Sequence, residues 1–101
     1  MTGVIVVLVT SPTEKEARML ARKLVVEGLA QCVNITPVTS FFEWKGKVEE
    51  EKEQLLVMKA SEDDFDALAK RVEELHSYDV PEIIALPAVK GFKPYLDWVL
   101  S

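Results

Sequence analysis

Cys32 and His76 are the soft and borderline metal ligands of this sequence, and thiolate with imidazole selects copper, zinc or similar ions over magnesium. Two ligands leave any such ion incompletely coordinated, so the remaining donors must come from water or a neighbouring chain. Read without a metal, Cys32 is a small buried hydrophobe on a strand. His76 is then a helix-end residue, whose protonated form suits the negative pole of the helix dipole. Met19 and Met58 are thioethers at positions that fit packing. Glu49, Glu50, Glu51 and Glu53 form a dense acidic run that reads as a solvated rim, or as weak ligands for hard cations. Tyr78, Glu82, Tyr95 and Trp98 bracket the last predicted strand. Aromatic walls around one carboxylate suit recognition of a small ligand, and the same rings equally suit docking of a terminal helix.

Catalytic constellations are missing. The four glycines, Gly3, Gly28, Gly46 and Gly91, fall at element boundaries and form no spaced phosphate cradle. There is no histidine pair at zinc-protease spacing and no glycine-flanked serine, and a single histidine is available as a base. A hydrolase is not expected.

The elements that must position these groups follow from periodicity. Val4–Val9 is apolar on both alternating sets, as a strand covered on both faces requires. Ser11-Pro12-Thr13-Glu14 predicts a helix start with Ser11 as N-cap, and Ala17, Leu20, Ala21, Leu24 and Val25 form the stripe of a helix over about 12–27, with Gly28 beyond its end. Gln31–Trp44 and Lys47–Ala60 predict a long hairpin reversing at Lys45-Gly46, with Pro37 at a bulge, a bend or an edge. Ser61 caps a second helix that buries Phe65, Leu68, Ala69, Val72 and Leu75 and ends near His76. Ile83–Leu86 is a short strand, and Pro94–Val99 a terminal helix. The order βαββαβ plus a tail helix predicts one α+β domain over 1–101. Its architecture is a ferredoxin-like sandwich with an antiparallel sheet and helices on one face.

Composition narrows the function classes. With 12 basic and 17 acidic residues the net charge is −5, which repels polyanions and argues against nucleic acid. The longest apolar run, Val4–Val9, is far short of the roughly 20 residues a bilayer-spanning helix needs, so no membrane role is expected. One cysteine cannot form an internal disulfide and fits a reducing compartment, so the expected location is cytoplasmic.

Hairpin arms of about 14 residues reach about 45 Å, against about 24 Å for a 16-residue helix. Phe41, Phe42 and Trp44 lie near the protruding tip, and a small monomer rarely leaves such rings in water. A closed homo-oligomer burying these three residues is the expectation. The alternative is a hairpin that curls over its own sheet and hides the rings.

The motifs Cys32-Val33-Asn34, Thr39 to Lys47 around Phe41-Phe42-Glu43-Trp44, the Glu53 to Lys59 arm, His76-Ser77-Tyr78-Asp79-Val80-Pro81-Glu82-Ile83 and Tyr95-Leu96-Asp97-Trp98 together resemble the CutA family of divalent-cation tolerance proteins. The resemblance implies a ferredoxin-like homotrimer built through long hairpins, similar to the trimers of PII-type signalling proteins. It also implies binding of, and response to, copper and other divalent ions, with no obligatory cofactor. By position, Cys32 and then His76 carry over as metal ligands. Phe42 stands where the family commonly has Tyr, and Ser77 where it has Pro. Val9 and Arg71 stand where some bacterial relatives carry cysteine. A second expectation is a PII-like signalling or scaffold trimer that binds a small molecule or an unidentified protein partner at inter-subunit clefts near Tyr78, Glu82, Tyr95 and Trp98.

Overall fold

The computed structural model describes residues Met1–Ser101. Strand β1 (Val4–Ser11) leads into helix α1 (Glu14–Val26), followed by β2 (Cys32–Trp44) and β3 (Lys47–Ser61). A 3-10 turn (Glu62–Asp64) then opens α2 (Phe65–Leu75), and β4 (Ile83–Pro87) and α3 (Lys93–Val99) complete the chain. The sheet runs β2-β3-β1-β4, antiparallel at every junction, which is the expected βαββαβ arrangement with a tail helix. One face of the sheet packs on α1 and α2 around Val7, Val9, Leu20, Leu24, Leu56, Met58, Leu68 and Val72, all without solvent exposure.

Several boundaries differ from the sequence reading for definite reasons. Ser11 does not cap α1. It stays in β1 opposite Gln54, and Thr13 takes the cap by accepting from the Glu16 amide at 3.1 Å. Strand pairing holds Ser11 in the sheet, and a hydroxyl two residues later serves the helix equally well. Val25, assigned to the buried stripe of α1, is 43% exposed beside the edge strand. Ser61, read as the cap of the second helix, instead caps the 3-10 turn before it by accepting from the Asp63 amide, and α2 itself, with Asp64 at its N-cap position, has no side-chain cap. Pro37 sits opposite Gln54 on β2, an edge strand, and the register runs through it without a break.

The hairpin closes through a two-residue turn, Lys45 and Gly46, with φ of 52° and 80°. Left-handed conformations at both positions match the twist of an antiparallel pair. β1 reaches only as far as Gln54 on β3, so Val38–Trp44 and Lys47–Glu53 pair with each other alone and project as a ribbon. The molecule is accordingly elongated, 44 × 25 × 22 Å. The rings are not tucked back: Phe41 is 66% and Trp44 60% exposed.

Val4–Val9, read as a strand covered on both faces, is covered by helices on one face only, the face of Val7 and Val9. Leu8 is flanked by Val57 on β3 and Ile84 on β4, and Val6 neighbours Leu86, so the other face carries an apolar patch with no helix layer over its middle. Ile84 and Leu86 are about half exposed. α3 packs against β3 near the Cys32 end of the sheet.

Candidate functional site

Antiparallel register puts Glu49, Glu51, Glu53, Leu55 and Val57 on the open face of β3, with Ser40 and Phe42 beside them on β2. The loop after α2, Ser77–Glu82, folds over this face. Its Tyr78 hydroxyl donates to Glu53 Oε2 at 2.8 Å. Burial, then the hydrogen bond and the charge of Glu53, push the Tyr78 phenol up to about 12. Thr10, Ser40, Phe42 and Glu82 complete a cleft of about 420 Å³. Toward the hairpin tip it opens into about 700 Å³ lined also by Trp44, Glu49, Glu51 and Asp79.

His76 holds the loop from behind. Its side chain has no solvent exposure. Nε2 lies 2.7 Å from the Thr10 carbonyl oxygen, which can only accept, so Nε2 carries the proton. Nδ1 accepts from the Tyr78 amide at 3.0 Å. Both partners together assign the neutral ring with its proton on Nε2. The rings of His76 and Tyr78 lie 4.9 Å apart between centroids. Glu16 Oε2, 3.5 Å from Nδ1, accepts from Ser11 Oγ at 3.1 Å and from the Ser77 amide at 3.4 Å, tying the loop to α1.

Within one chain these positions do not form the metal pair read from the sequence. Cys32 stands opposite Lys59, six residues along β3 from Glu53 and hence about 20 Å from the Tyr78 cleft that His76 supports. Both His76 nitrogens are committed, leaving no lone pair for an ion without breaking the Tyr78 amide bond. No group of three or more His, Cys, Asp and Glu side chains converges as a metal cage. Cys32 is a half-buried free thiol beside the Tyr95 phenol, whose pKa is raised by burial and then by Cys32. Across the strand, Lys59 Nζ donates to Asn34 Oδ1.

The four residues read as one ligand crevice separate as well. Tyr78 and Glu82 share the cleft with Glu53, whereas Tyr95 and Trp98 pair as tilted rings, 5.6 Å apart, at the Cys32 end. The missed residue is Glu53. It reads as part of a solvated acidic rim, yet is only 7% exposed. The signal was alternation: on its face of β3 the next residues are Leu55 and Val57, so Glu53 borders the apolar half of the sheet.

A four-stranded antiparallel sheet with helices on one face, an open face and a protruding ribbon defines a small α+β domain of ferredoxin-like fold. Its sequence matches the family model described as CutA1 divalent ion tolerance protein over residues 5–101. The divalent-cation tolerance protein CutA of Thermus thermophilus is 50% identical over 95 residues, covering 93% of this chain and 92% of that one. Protein CutA of Mus musculus is 48% identical over 92 residues, 90% of this chain but 52% of its own length. The chain therefore spans nearly all of the bacterial relative and about half of the mouse one. The solved Thermus thermophilus divalent cation tolerance protein superposes with a TM-score of 0.94 at 49% identity, over 96% of this chain and 95% of that one. This chain belongs to the CutA1 divalent ion tolerance family.

Proposed function

We propose that the chain works in the cytoplasm as a closed homotrimer that binds divalent or copper-type cations and takes part in the response to them by binding, without catalysis. The observation that carries this reading is the uncovered apolar patch around Leu8, Val57, Ile84 and Leu86, continued by Phe42 and Trp44 on the same face of the ribbon, with Phe41 exposed on the other face. Removing this area from water drives association, and a closed ring prevents open-ended growth. Cys32 faces the same side of the sheet as this patch, so a neighbouring copy packed there supplies further ligands to its thiol. The printed function of the matched family, divalent ion tolerance, supports the cation part. The free thiol supports a reducing compartment. No helix is long and apolar enough to cross a membrane.

Sedimentation of the purified chain tests assembly, and titration with copper(I) or zinc against a competing chelator tests binding. The expected results are a trimer and a Cys32→Ser variant at least tenfold weaker in affinity, about 1.4 kcal/mol. A monomer that keeps its fold, or unchanged affinity in the variant, overturns the respective half.

One observation favours a second reading. The cleft under Tyr78, at the base of the ribbon, supports a PII-like trimer that binds a small molecule at the subunit boundary and signals through its hairpins.

A further inference from the structure

The loop between α2 and β4, Ser77–Glu82, is fastened at its first two residues. The Tyr78 amide donates to His76 Nδ1 at 3.0 Å, and the Ser77 amide makes a longer bond, 3.4 Å, to Glu16 Oε2. The Tyr78 hydroxyl adds its bond to Glu53. No further turn, loop or side-chain hydrogen bond holds Asp79, Val80, Pro81 or Glu82, and Val80 is 90% exposed. The backbone of the loop thus hangs chiefly on one lone pair, that of His76 Nδ1.

A second proton on the imidazole changes that arrangement at one atom. The charged ring donates from both nitrogens, so Nε2 keeps the Thr10 carbonyl while Nδ1 ceases to accept, and the Tyr78 N–H would meet another N–H. An alternative acceptor is already in place: Glu16 Oε2 lies 3.5 Å from Nδ1. The ring has no solvent exposure and the Glu16 side chain only 15%, so the carboxylate rather than water receives the new N–H. The titratable groups around the ring are acidic or neutral. Glu16 reaches it from α1, Tyr78 from the loop with Asp79 and Glu82 further along, and Glu53 stands behind the Tyr78 hydroxyl on β3. β1 presents the Thr10 carbonyl and the Ser11 hydroxyl, and α2 the Val72 carbonyl on the His76 amide. No Lys or Arg pairs with any of these carboxylates.

We propose that His76 is a pH-operated latch for the Ser77–Glu82 loop. Proton uptake from solvent, during a brief opening of the loop, hands Nδ1 from the Tyr78 amide to Glu16, and the loop comes loose from β1 and α1 while Nε2 stays on Thr10. The closing bond needs the neutral ring, so loosening takes up a proton, and the open fraction grows as pH falls, by about tenfold per pH unit at most. Imidazoles as a class charge between about pH 5 and 8, and the chain has one histidine. The latch requires no bound cation and no ligand in the cleft, so it stands apart from both functional readings.

Ring-nitrogen NMR resonances of His76 and amide exchange of the loop, followed on the intact chain from about pH 7.5 to about pH 5.5, test the latch above the usual carboxylate range. Protection is taken relative to the intrinsic exchange rate at each pH. The expected result is that Nδ1 gains its proton and the Tyr78 amide loses at least about fivefold in protection with the same midpoint, while Val7 and Met58 in the core hold theirs. Glu16→Gln, which takes away the charge that receives the new N–H, is expected to move that midpoint to lower pH. His76→Gln, which donates and accepts at any pH, is expected to remove the pH dependence of Tyr78 protection, with circular dichroism confirming the fold. A ring that stays neutral down to about pH 5.5, or one that charges with no change at Tyr78, overturns the proposal. Equal loss of protection in His76→Gln overturns it too, because another group then operates the loop. An unmoved midpoint in Glu16→Gln overturns the exchange to Glu16.

Discussion

Tyr78 and Glu53 are joined hydroxyl to carboxylate at 2.8 Å, linking a surface loop to the strand that carries the ribbon. The bond exists only while the phenol keeps its proton. Folding raises the Tyr78 pKa from 10.0 to about 12, through burial first and Glu53 second. A raised pKa means that the fold prefers the protonated form, so the contribution is intact below about pH 10 and is lost as pH climbs through about 12. With Tyr95→Phe removing the other of the two tyrosines, tyrosinate absorbance should show Tyr78 alone titrating near the raised value. Adding Glu53→Gln should lower that midpoint. An unmoved midpoint would mean that burial alone sets it.

His76 bridges Thr10 on β1 and Tyr78 in the loop through opposite edges of one ring. His76→Ala removes the partners of the part-buried Thr10 carbonyl and Tyr78 amide, and opens a cavity where the buried ring sat. The expected loss is on the order of 3 kcal/mol, read as a lower urea midpoint. His76→Gln, which can donate and accept at once, should recover part of it. Copper or zinc affinity should be the same in His76→Gln as in the unchanged chain, because neither ring nitrogen is free to bind an ion. A tenfold loss of affinity in that folded variant would reinstate His76 as a ligand.

Local signals carried the fold a long way. The apolar run Val4–Val9, the Ala17, Leu20 and Leu24 stripe of α1, and the Lys45-Gly46 reversal each depend on neighbours in sequence, and each lies where its spacing put it. The exceptions are tertiary. Ser11 was claimed by Gln54 across the sheet, and Val25 was exposed by the edge position of β2. The site was less legible because it depends on register. Cys32 and His76 have compatible chemistry, but only the pairing of β2 with β3 shows that they lie at different ends of the sheet. Tyr78 and Glu82 drew notice through their types. Glu53, hidden in a run of acids, becomes distinct only once alternation is carried across three strands.

The apolar patch makes assembly testable without touching the cleft. Ile84 and Leu86 sit on β4, about half exposed, and a glutamate at either position would place a charge where a neighbouring copy must pack. The unchanged chain should have a mass near three times 11.4 kDa, about 34 kDa. Ile84→Glu should shift it toward single copies with helix and strand content retained. Phe41→Glu and Trp44→Glu should do the same if the ribbon shares the contact. A trimer unchanged by Ile84→Glu would place the interface elsewhere.

The turn at Lys45-Gly46 offers the cleanest separation of local from global stability. Gly46 has φ of 80°, and an added Cβ would meet nothing within 4 Å, so Gly46→Ala costs backbone strain alone, about 1 kcal/mol. Lys45 occupies the left-handed region at φ 52° with a side chain that gains nothing from it, whereas asparagine tolerates that region and favours this turn. Lys45→Asn should therefore stabilise the hairpin by a few tenths of a kcal/mol, although it removes the ammonium above Trp44. The ribbon beyond Gln54 pairs only with itself, so both effects should concentrate there. Amide exchange at Trp44 and Lys47 should quicken in Gly46→Ala and slow in Lys45→Asn, while protection of Val7 and Met58 in the core stays nearly constant. Equal changes in ribbon and core would show instead that the hairpin opens only with the whole molecule.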